Sequence, residues 1–322
     1  MQHVWGALKD GAGSNPRVAF VLSGGGPMGC LQVGVLEALL EYGIYPDLIV
    51  GTSVGALNGA WLARRPDREG LRGLSELWRS LTGDTIFRGG RLRVLFRMVS
   101  GRDYLYPDQG LRALMAQNVG DTRFEQLAVP LFVTAVDLNT AELEVIHEGG
   151  LIPALLASTA IPGVLPPVTI GGRMYVDGGI LDYCPFDVAW ELGATHIVAI
   201  ECPHAPPTNA YGFLGPIAKA LWVAQVRLRS LGVQRFQDVA GVPMLRLVPP
   251  MEIRSYNRKD FSRTRELMDQ AKTWAEDYLR QNADAFPRAL RRGNPSLPAS
   301  QPELRPVGEQ PAFPLSVQPD GK

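Results

Sequence analysis

Residues 17–23, RVAFVLS, form an almost unbroken apolar run of strand length. Beyond them Met28, Leu31, Val35 and Leu39 return at the three- and four-residue spacing of a helix that closes at Glu41-Tyr42-Gly43. The stretch 47–65, DLIVGTSVGALNGAWLARR, repeats the arrangement: a second apolar strand, a tight turn around Ser53, and a helix whose Ala56, Gly59, Ala60 and Ala63 permit close packing. Two strand–loop–helix units in succession predict a parallel sheet covered by helices, since neighbouring parallel strands need a crossover between them. Further strands are expected at 130–136, 142–146, 173–177, 196–200 and 243–248, and helices at 184–193, 215–238 and 262–282. From Pro287 the pattern stops, and eight prolines with few apolar residues predict a disordered tail. The organisation expected is a flexible start (1–16), one domain over 17–285 with its motifs in 17–205 and a helical part at 211–285, and the tail at 286–322.

A length of 322 residues leaves one large domain or two small ones open, and with 46% hydrophobic and 20% charged residues the core is ample. Lys plus Arg equals Asp plus Glu at 32 each, so no global field favours nucleic acid, and none is expected as a partner. Cys30, Cys184 and Cys202 are odd in number and far apart, without metal-ligand spacing, which predicts reduced thiols and no metal. No basic segment leads into an apolar one near residue 1, and nowhere do 18 apolar residues run together. These features predict a cytoplasmic chain that at most lies on a membrane.

Two segments carry candidate chemistry. Gly24, Gly26 and Gly29 match the G-x-G-x-x-G pattern between a strand and a helix, the setting of a dinucleotide site. Such a site also needs an acid at the end of the second strand, where this chain has Gly51, Thr52 and Ser53; Asp47 begins that strand instead. The other reading is an oxyanion hole, in which backbone N–H groups at a helix start stabilise an oxygen that becomes negative during reaction. The loop Gly24, Gly25, Gly26, Met28 and Gly29 would form it, with donors chiefly from Gly25 and Gly26 and Met28 as a further candidate, because Pro27, expected at the first helical position, has no N–H. A plain turn needs fewer glycines.

The second segment, Gly51 to Gly55, matches G-x-S-x-G, in which a sharp strand-to-helix turn exposes the serine and flanking glycines relieve the crowding. Ser53 needs a base. His3, His147 and His196 are poorly situated, whereas His204 follows a strand and permits a triad Ser53, Asp177, His204. Asp177, in Val176-Asp177-Gly178-Gly179, ends another strand and would accept a proton directly if within reach; an Asx turn is the alternative on residues alone.

GGGPMG (24–29), GTSVG (51–55) and DGG (177–179), in that order, resemble the patatin-like phospholipases, lipid acyl hydrolases with a Ser–Asp dyad. ASTAIPGVLPPV (157–168) and DGGILDYCP (177–185) look like the family's segments around the aspartate, so the resemblance spans about 17–205. It implies an α/β fold, a three-layer open, mostly parallel sheet with helices on both faces, and it implies Ser53 as nucleophile, Asp177 as base, Gly51 and Gly55 as the elbow glycines, Gly178 and Gly179 as the aspartate loop, and no cofactor. Two positions depart from the family pattern: Met28 stands where many members have Arg or Lys, and Tyr183 where they have Asn. The implied substrate is a lipid or other fatty-acyl ester. Alternatives are a catalytically idle lipid-binding module of the same fold, or a hydrolase of soluble esters or thioesters.

Residues 88–102, RGGRLRVLFRMVSGR, combine five Arg with apolar residues and no acid, a composition suited to an inner-membrane surface, to a lid, or to a helix packed on the core. The stretch 219–235 has the same character.

Overall fold

The computed structural model describes residues 17–87, 104–203, 206, 214–239, 242–251 and 260–282. The readings made for 1–16, 88–102, 286–322, His3 and His204 lie outside these residues.

The apolar runs become strands: β1 (Val18–Leu22), β2 (Leu48–Thr52), β3 (Leu131–Asp137), β4 (Glu142–Ile146), β5 (Val168–Ile170), β6 (Arg173–Asp177), β7 (His196–Ile200) and β8 (Met244–Leu247). β1, β2 and β3 are buried at every residue, as expected of a sheet covered on both faces. All eight join one sheet in the order β5-β6-β3-β2-β1-β7-β8, with β4 also paired to β3. The pairs β3-β2-β1-β7-β8 are parallel, while β4 and β6 meet β3 antiparallel and β5 meets β6 antiparallel. The sheet is mixed, and its antiparallel part lies wholly beyond β3.

The register of β3 is what assembles the site. Its first half, Leu131 to Thr134, lies beside β2, and its second half, Ala135 to Asp137, lies beside β6. β4 occupies residues 133–137 from the other edge. Thr52 therefore faces Thr134, and one residue further along Ala135 faces Asp177. The strand that carries Ser53 and the strand that carries Asp177 run toward each other and end at the same place.

Helices connect the strands: α1 (Gly29–Glu41) after β1, α2 (Val54–Arg64) after β2, then α3 (Arg68–Ser80), α4 (Gly83–Ile86), α5 (Gln109–Asn118) and α6 (Leu151–Thr159), with α7 (Phe186–Glu191), α8 (Leu214–Val239) and α9 (Thr264–Gln281) in the second half. From β1 the chain steps through α1 to β2 and through α2 to β3 in one direction, whereas β7 steps through α8 to β8 in the other. Right-handed crossovers then put α1 and α2 on one face and α8 on the opposite face. The order reverses between β1 and β7, and the crevice beyond their C-terminal ends is where open α/β sheets hold ligands. The glycine loop after β1 sits at that reversal. One expectation is corrected here: Pro27 does not open the helix but lies in a short 3-10 turn, Gly26–Met28, and α1 begins at Gly29.

Candidate active site

Ser53 is held at φ 55°, ψ −123°, a conformation that side-chain-bearing residues rarely adopt and that costs on the order of 1–3 kcal/mol. The surrounding packing enforces it. Gly51 and Gly55 flank the turn, and a Cβ on Gly55 would stand 2.2 Å from the Leu22 carbonyl oxygen, so α2 can start this close to the end of β1 only with glycine there. The Ser53 amide donates to Ser158 Oγ at 2.8 Å, and its carbonyl accepts from the Ala56 amide at 2.9 Å. The residue is pinned on both sides of its Cα while its hydroxyl remains at the pocket floor.

That hydroxyl donates to Asp177 Oδ2 at 2.7 Å. The other carboxylate oxygen, Oδ1, accepts from the Gly179 amide at 2.8 Å, which fixes the plane of the group. The Asx turn that the sequence offered as an alternative to a base is thus present together with the serine contact. Gly178 packs against Thr134, and Thr134 shares a 2.7 Å hydroxyl contact with Thr52 below the pair. Both Ser53 and Asp177 are 7% exposed, so their hydrogen bond is largely shielded from water.

The loop that precedes α1 lies against this pair; the nearest neighbours of a Cβ on Gly24 would include Ser53 Cβ at 3.7 Å. Gly25 and Gly26 have φ of 151° and 56°, the left-handed side of backbone space. Three of the five loop amides are spent internally: Gly24 on the Tyr183 carbonyl (2.9 Å), Met28 on Gly25 O (3.2 Å), and Gly29 on Gly26 O and Pro27 O. The Gly25 and Gly26 amides have no acceptor among the described residues.

A relay of neutral side chains, which the sequence reading missed, supports the loop from below. Trp78 Nε1 donates to Asn58 Oδ1 (2.8 Å); Asn58 Nδ2 donates to the Gly29 carbonyl (3.0 Å) and to Gln32 Oε1 (2.9 Å); Gln32 Nε2 donates to Ser23 O (2.8 Å). Ser23 Oγ in turn donates to Gly24 O and accepts from the Cys202 amide, each at 2.8 Å. Asn58 and Gln32 are the lone amides within apolar helical stretches, a signal that was available in the sequence. Tyr183 also acquires a physical role. Its ring lies over Gly24, its hydroxyl donates to the Cys202 carbonyl at 3.2 Å, and its own carbonyl holds the Gly24 amide.

On the other side of the loop stands a charged cluster. Glu201, fully buried after β7, accepts from Arg229 Nε (2.6 Å) on α8 and from Arg246 Nε (2.7 Å) on β8. Burial works against its charged form, but the two guanidiniums hold its carboxyl below the usual range. Asp182 has the opposite balance: burial, with Asp187 and Glu201 nearby, pushes it up to about 7 despite the Cys184 amide on its Oδ1. All three cysteines are free and buried, and burial pushes Cys30 up to about 12 and raises Cys184 and Cys202, so none supplies a thiolate.

The pocket above Ser53 and Asp177 is apolar, with Leu57, Trp61, Leu77, Phe87, Met115 and Leu155 among its walls and α8 contributing Leu221 and Gln225 at its rim. Gln225 Nε2 donates to the Gly179 carbonyl at 2.7 Å. No described histidine lines it. His196 begins β7, a strand length away from the end where Ser53 sits, and is occupied by Thr195 Oγ1; His147 stacks on Phe132 at the end of β4. The dinucleotide reading meets the same obstacle as in the sequence: Asp47 spends its Oδ2 on the Val18 amide at 2.8 Å, at the start of β1. No group of three or more metal-ligating side chains occurs among the described residues.

The chain is similar to several known proteins. An uncharacterised NTE family protein of Mycobacterium tuberculosis is 37% identical over 61% of this chain and 51% of its own length. Patatin-like phospholipase domain-containing protein 7 of Mus musculus is 29% identical over 67% of this chain, and lysophospholipase NTE1 of Mycosarcoma maydis is 30% identical over 61%. The chain spans only 16% and 10% of those two relatives' lengths, respectively. Among solved structures, VipD from Legionella pneumophila aligns at a TM-score of 0.49 and 14% identity, covering 83% of this chain and 67% of its own, and human GIVD cytosolic phospholipase A2 at 0.45 and 13%, covering 90% and 63%. Residues 20–190, which include the glycine loop, the serine turn and Asp177, match the family model described as patatin-like phospholipase, and the chain belongs to that family.

Proposed function

We propose that the protein hydrolyses carboxylic esters of lipids, with Ser53 as nucleophile and Asp177 as its base. The observation that carries this reading is the 2.7 Å donation from Ser53 Oγ to Asp177 Oδ2 at the floor of an apolar pocket. A carboxylate at that distance takes the hydroxyl proton as Oγ attacks the ester carbonyl, with no imidazole between them. The carbonyl oxygen becomes negative and is met by the Gly25 and Gly26 amides, the two loop donors not spent elsewhere among the described residues. Asp177 then returns the proton to the departing alcohol, leaving an acyl-serine. A water loses a proton to Asp177 and attacks the acyl carbonyl, the bond to Ser53 Oγ breaks as Asp177 returns the proton to it, and the fatty acid leaves. The names of the relatives, phospholipase and lysophospholipase, support lipid esters as the substrate class, as does the predominance of aliphatic and aromatic side chains around the pair.

A panel of phospholipids, lysophospholipids, neutral glycerides and soluble short-chain esters, with released products read by mass spectrometry, tests the assignment. Wild type should release fatty acid, and Ser53→Ala should lower turnover by about a thousand-fold or more. A folded wild-type protein that binds these lipids but releases nothing would favour the idle binding module, and preference for soluble esters alone would remove the lipid from the reading.

A further inference from the structure

We propose that α8 is the surface by which this protein docks on an anionic phospholipid bilayer. This inference rests on the reading of a lipid ester as substrate. One side of the helix belongs to the site: Ala218, Leu221, Trp222 and Gln225 line the pocket, and Arg229 is tied to buried Glu201. An adjoining side, rotated by about a third of a turn, faces outward and is apolar. Ile217, Val223, Leu228 and Leu231 are 62%, 57%, 42% and 44% exposed, four of the seven most exposed large apolar side chains among the described residues. Ile217, Ala220, Ala224, Leu228 and Leu231 follow one another at intervals of three and four, which lines them up along a single stripe. A stripe of this kind normally packs on a core, but here the core-facing side of the same helix is the other one.

Charge identifies the occupant. Lys219 and Arg227 are exposed beside the stripe, and between Glu201 and Asp238 the sequence holds no acid at all. An apolar strip whose charged neighbours on the helix are cations matches a bilayer whose headgroups are negative: the side chains enter the acyl boundary while the cations stay at the phosphates. A second copy of the chain is a poorer match, because symmetric pairing of this face would oppose its own cations. A neutral apolar partner would leave the cations without a counterpart. Docking through α8 also places the pocket where its substrate is, since the helix that would enter the interface has its other face on the pocket rim, one hydrogen bond from the aspartate loop.

The test uses the full chain carrying Ser53→Ala, so that no lipid is consumed, with vesicles of phosphatidylglycerol or of phosphatidylcholine in a sedimentation assay. The parent should bind phosphatidylglycerol vesicles more tightly than phosphatidylcholine ones, and salt should weaken the difference. Adding Lys219→Gln with Arg227→Gln should weaken binding to phosphatidylglycerol roughly 25-fold, the equivalent of about 1 kcal/mol for each cation. Adding Leu228→Gln with Leu231→Gln should weaken binding to both vesicle types. These positions lie outside the pocket, so each pair placed in the Ser53-containing chain should leave turnover of a soluble short-chain ester and the melting temperature unchanged. Vesicle binding that both pairs leave intact, equal binding of the parent to the two vesicle types, or a dimer in sedimentation equilibrium that Leu228→Gln with Leu231→Gln dissolves would each overturn the proposal. Because the binding arm uses a chain without Ser53, failure of the docking surface and failure of the catalytic reading give different results.

Discussion

The glycine loop is supported from two sides by opposite chemistry. Toward α1, α2 and α3 the support is a neutral relay, Trp78 to Asn58 to Gln32 to Ser23, every hydrogen bond between uncharged groups. Toward α8 and β8 it is a buried carboxylate clamped by two arginines. The neutral relay ends on backbone carbonyls of the loop itself, at Ser23, Gly24 and Gly29, and so sets where the Gly25 and Gly26 amides point. The Glu201 carboxylate directs its hydrogen bonds to α8 and β8 instead. It ties α8 to β7 and β8, so it holds the pocket's wall and not the floor where Ser53 and Asp177 meet. Under the proposed mechanism, stability and positioning are separable here: charge fastens the elements, while hydrogen bonds between uncharged groups hold the loop that would meet the oxyanion.

Cutting each support should expose the difference. The largest stability effect is expected from Glu201→Ala, which leaves Arg229 and Arg246 facing each other over an emptied acceptor and should cost about 3–5 kcal/mol. Denaturant unfolding measures this, and well below the unfolding transition the variant should keep most of its ester turnover. Asn58→Ala should cost less, about 1–3 kcal/mol for the Trp78, Gln32 and Gly29 groups left unpaired. Its turnover should nevertheless fall further than that of Glu201→Ala, through kcat with KM little changed, since the loop loses its anchor. If Glu201→Ala impaired kcat more than Asn58→Ala did, the division of labour would be wrong.

The smallest effect is a matter of pH. Asp182, raised to about 7, binds a proton in the folded state that the unfolded chain has already lost above its ordinary carboxylate range. Its contribution to stability therefore declines as pH rises from about 4 to about 7. Glu201 is displaced downward and has the opposite sign: its contribution is present above the ordinary carboxylate range and is lost as pH falls through its lowered value. Melting temperature followed across pH 4 to 7 should fall less steeply with rising pH in Asp182→Asn than in wild type; an unchanged slope would mean that Asp182 does not titrate in that window.

What the sequence disclosed divides along physical lines. The parallel half was legible because each strand is a local apolar run and each turn into a helix carries its own glycines, so β1 with 24–29 and β2 with 51–55 could be read without knowing their neighbours. The antiparallel part was less so. β5 is three residues long and pairs with β6 alone among the described residues, too short to leave a period. α6 is buried on nearly all sides and contains Pro153, so it lacks the alternation by which a surface helix is recognised. α3 was overlooked although it is strongly amphipathic, and with it Trp78, the outer end of the relay. Ser53 and Asp177 were nameable from their motifs, but their approach depends on β3 sharing one edge between β2 and β6, a register that no local pattern encodes. Tyr183 was an unexplained departure in the sequence because its partners, Gly24 and Cys202, meet it only after folding.

If Asp177 activates Ser53 without an intermediary, the rate of covalent labelling by a fluorophosphonate, mapped to the residue by mass spectrometry, depends on that carboxylate and on no imidazole. The expected result is a single adduct on Ser53 in wild type, labelling slowed by a hundred-fold or more in folded Asp177→Asn, and labelling near the wild-type rate in His147→Ala, His196→Gln and His204→Ala. An adduct on another residue, or a folded His204→Ala protein that no longer labels while Asp177→Asn still does, would contradict it.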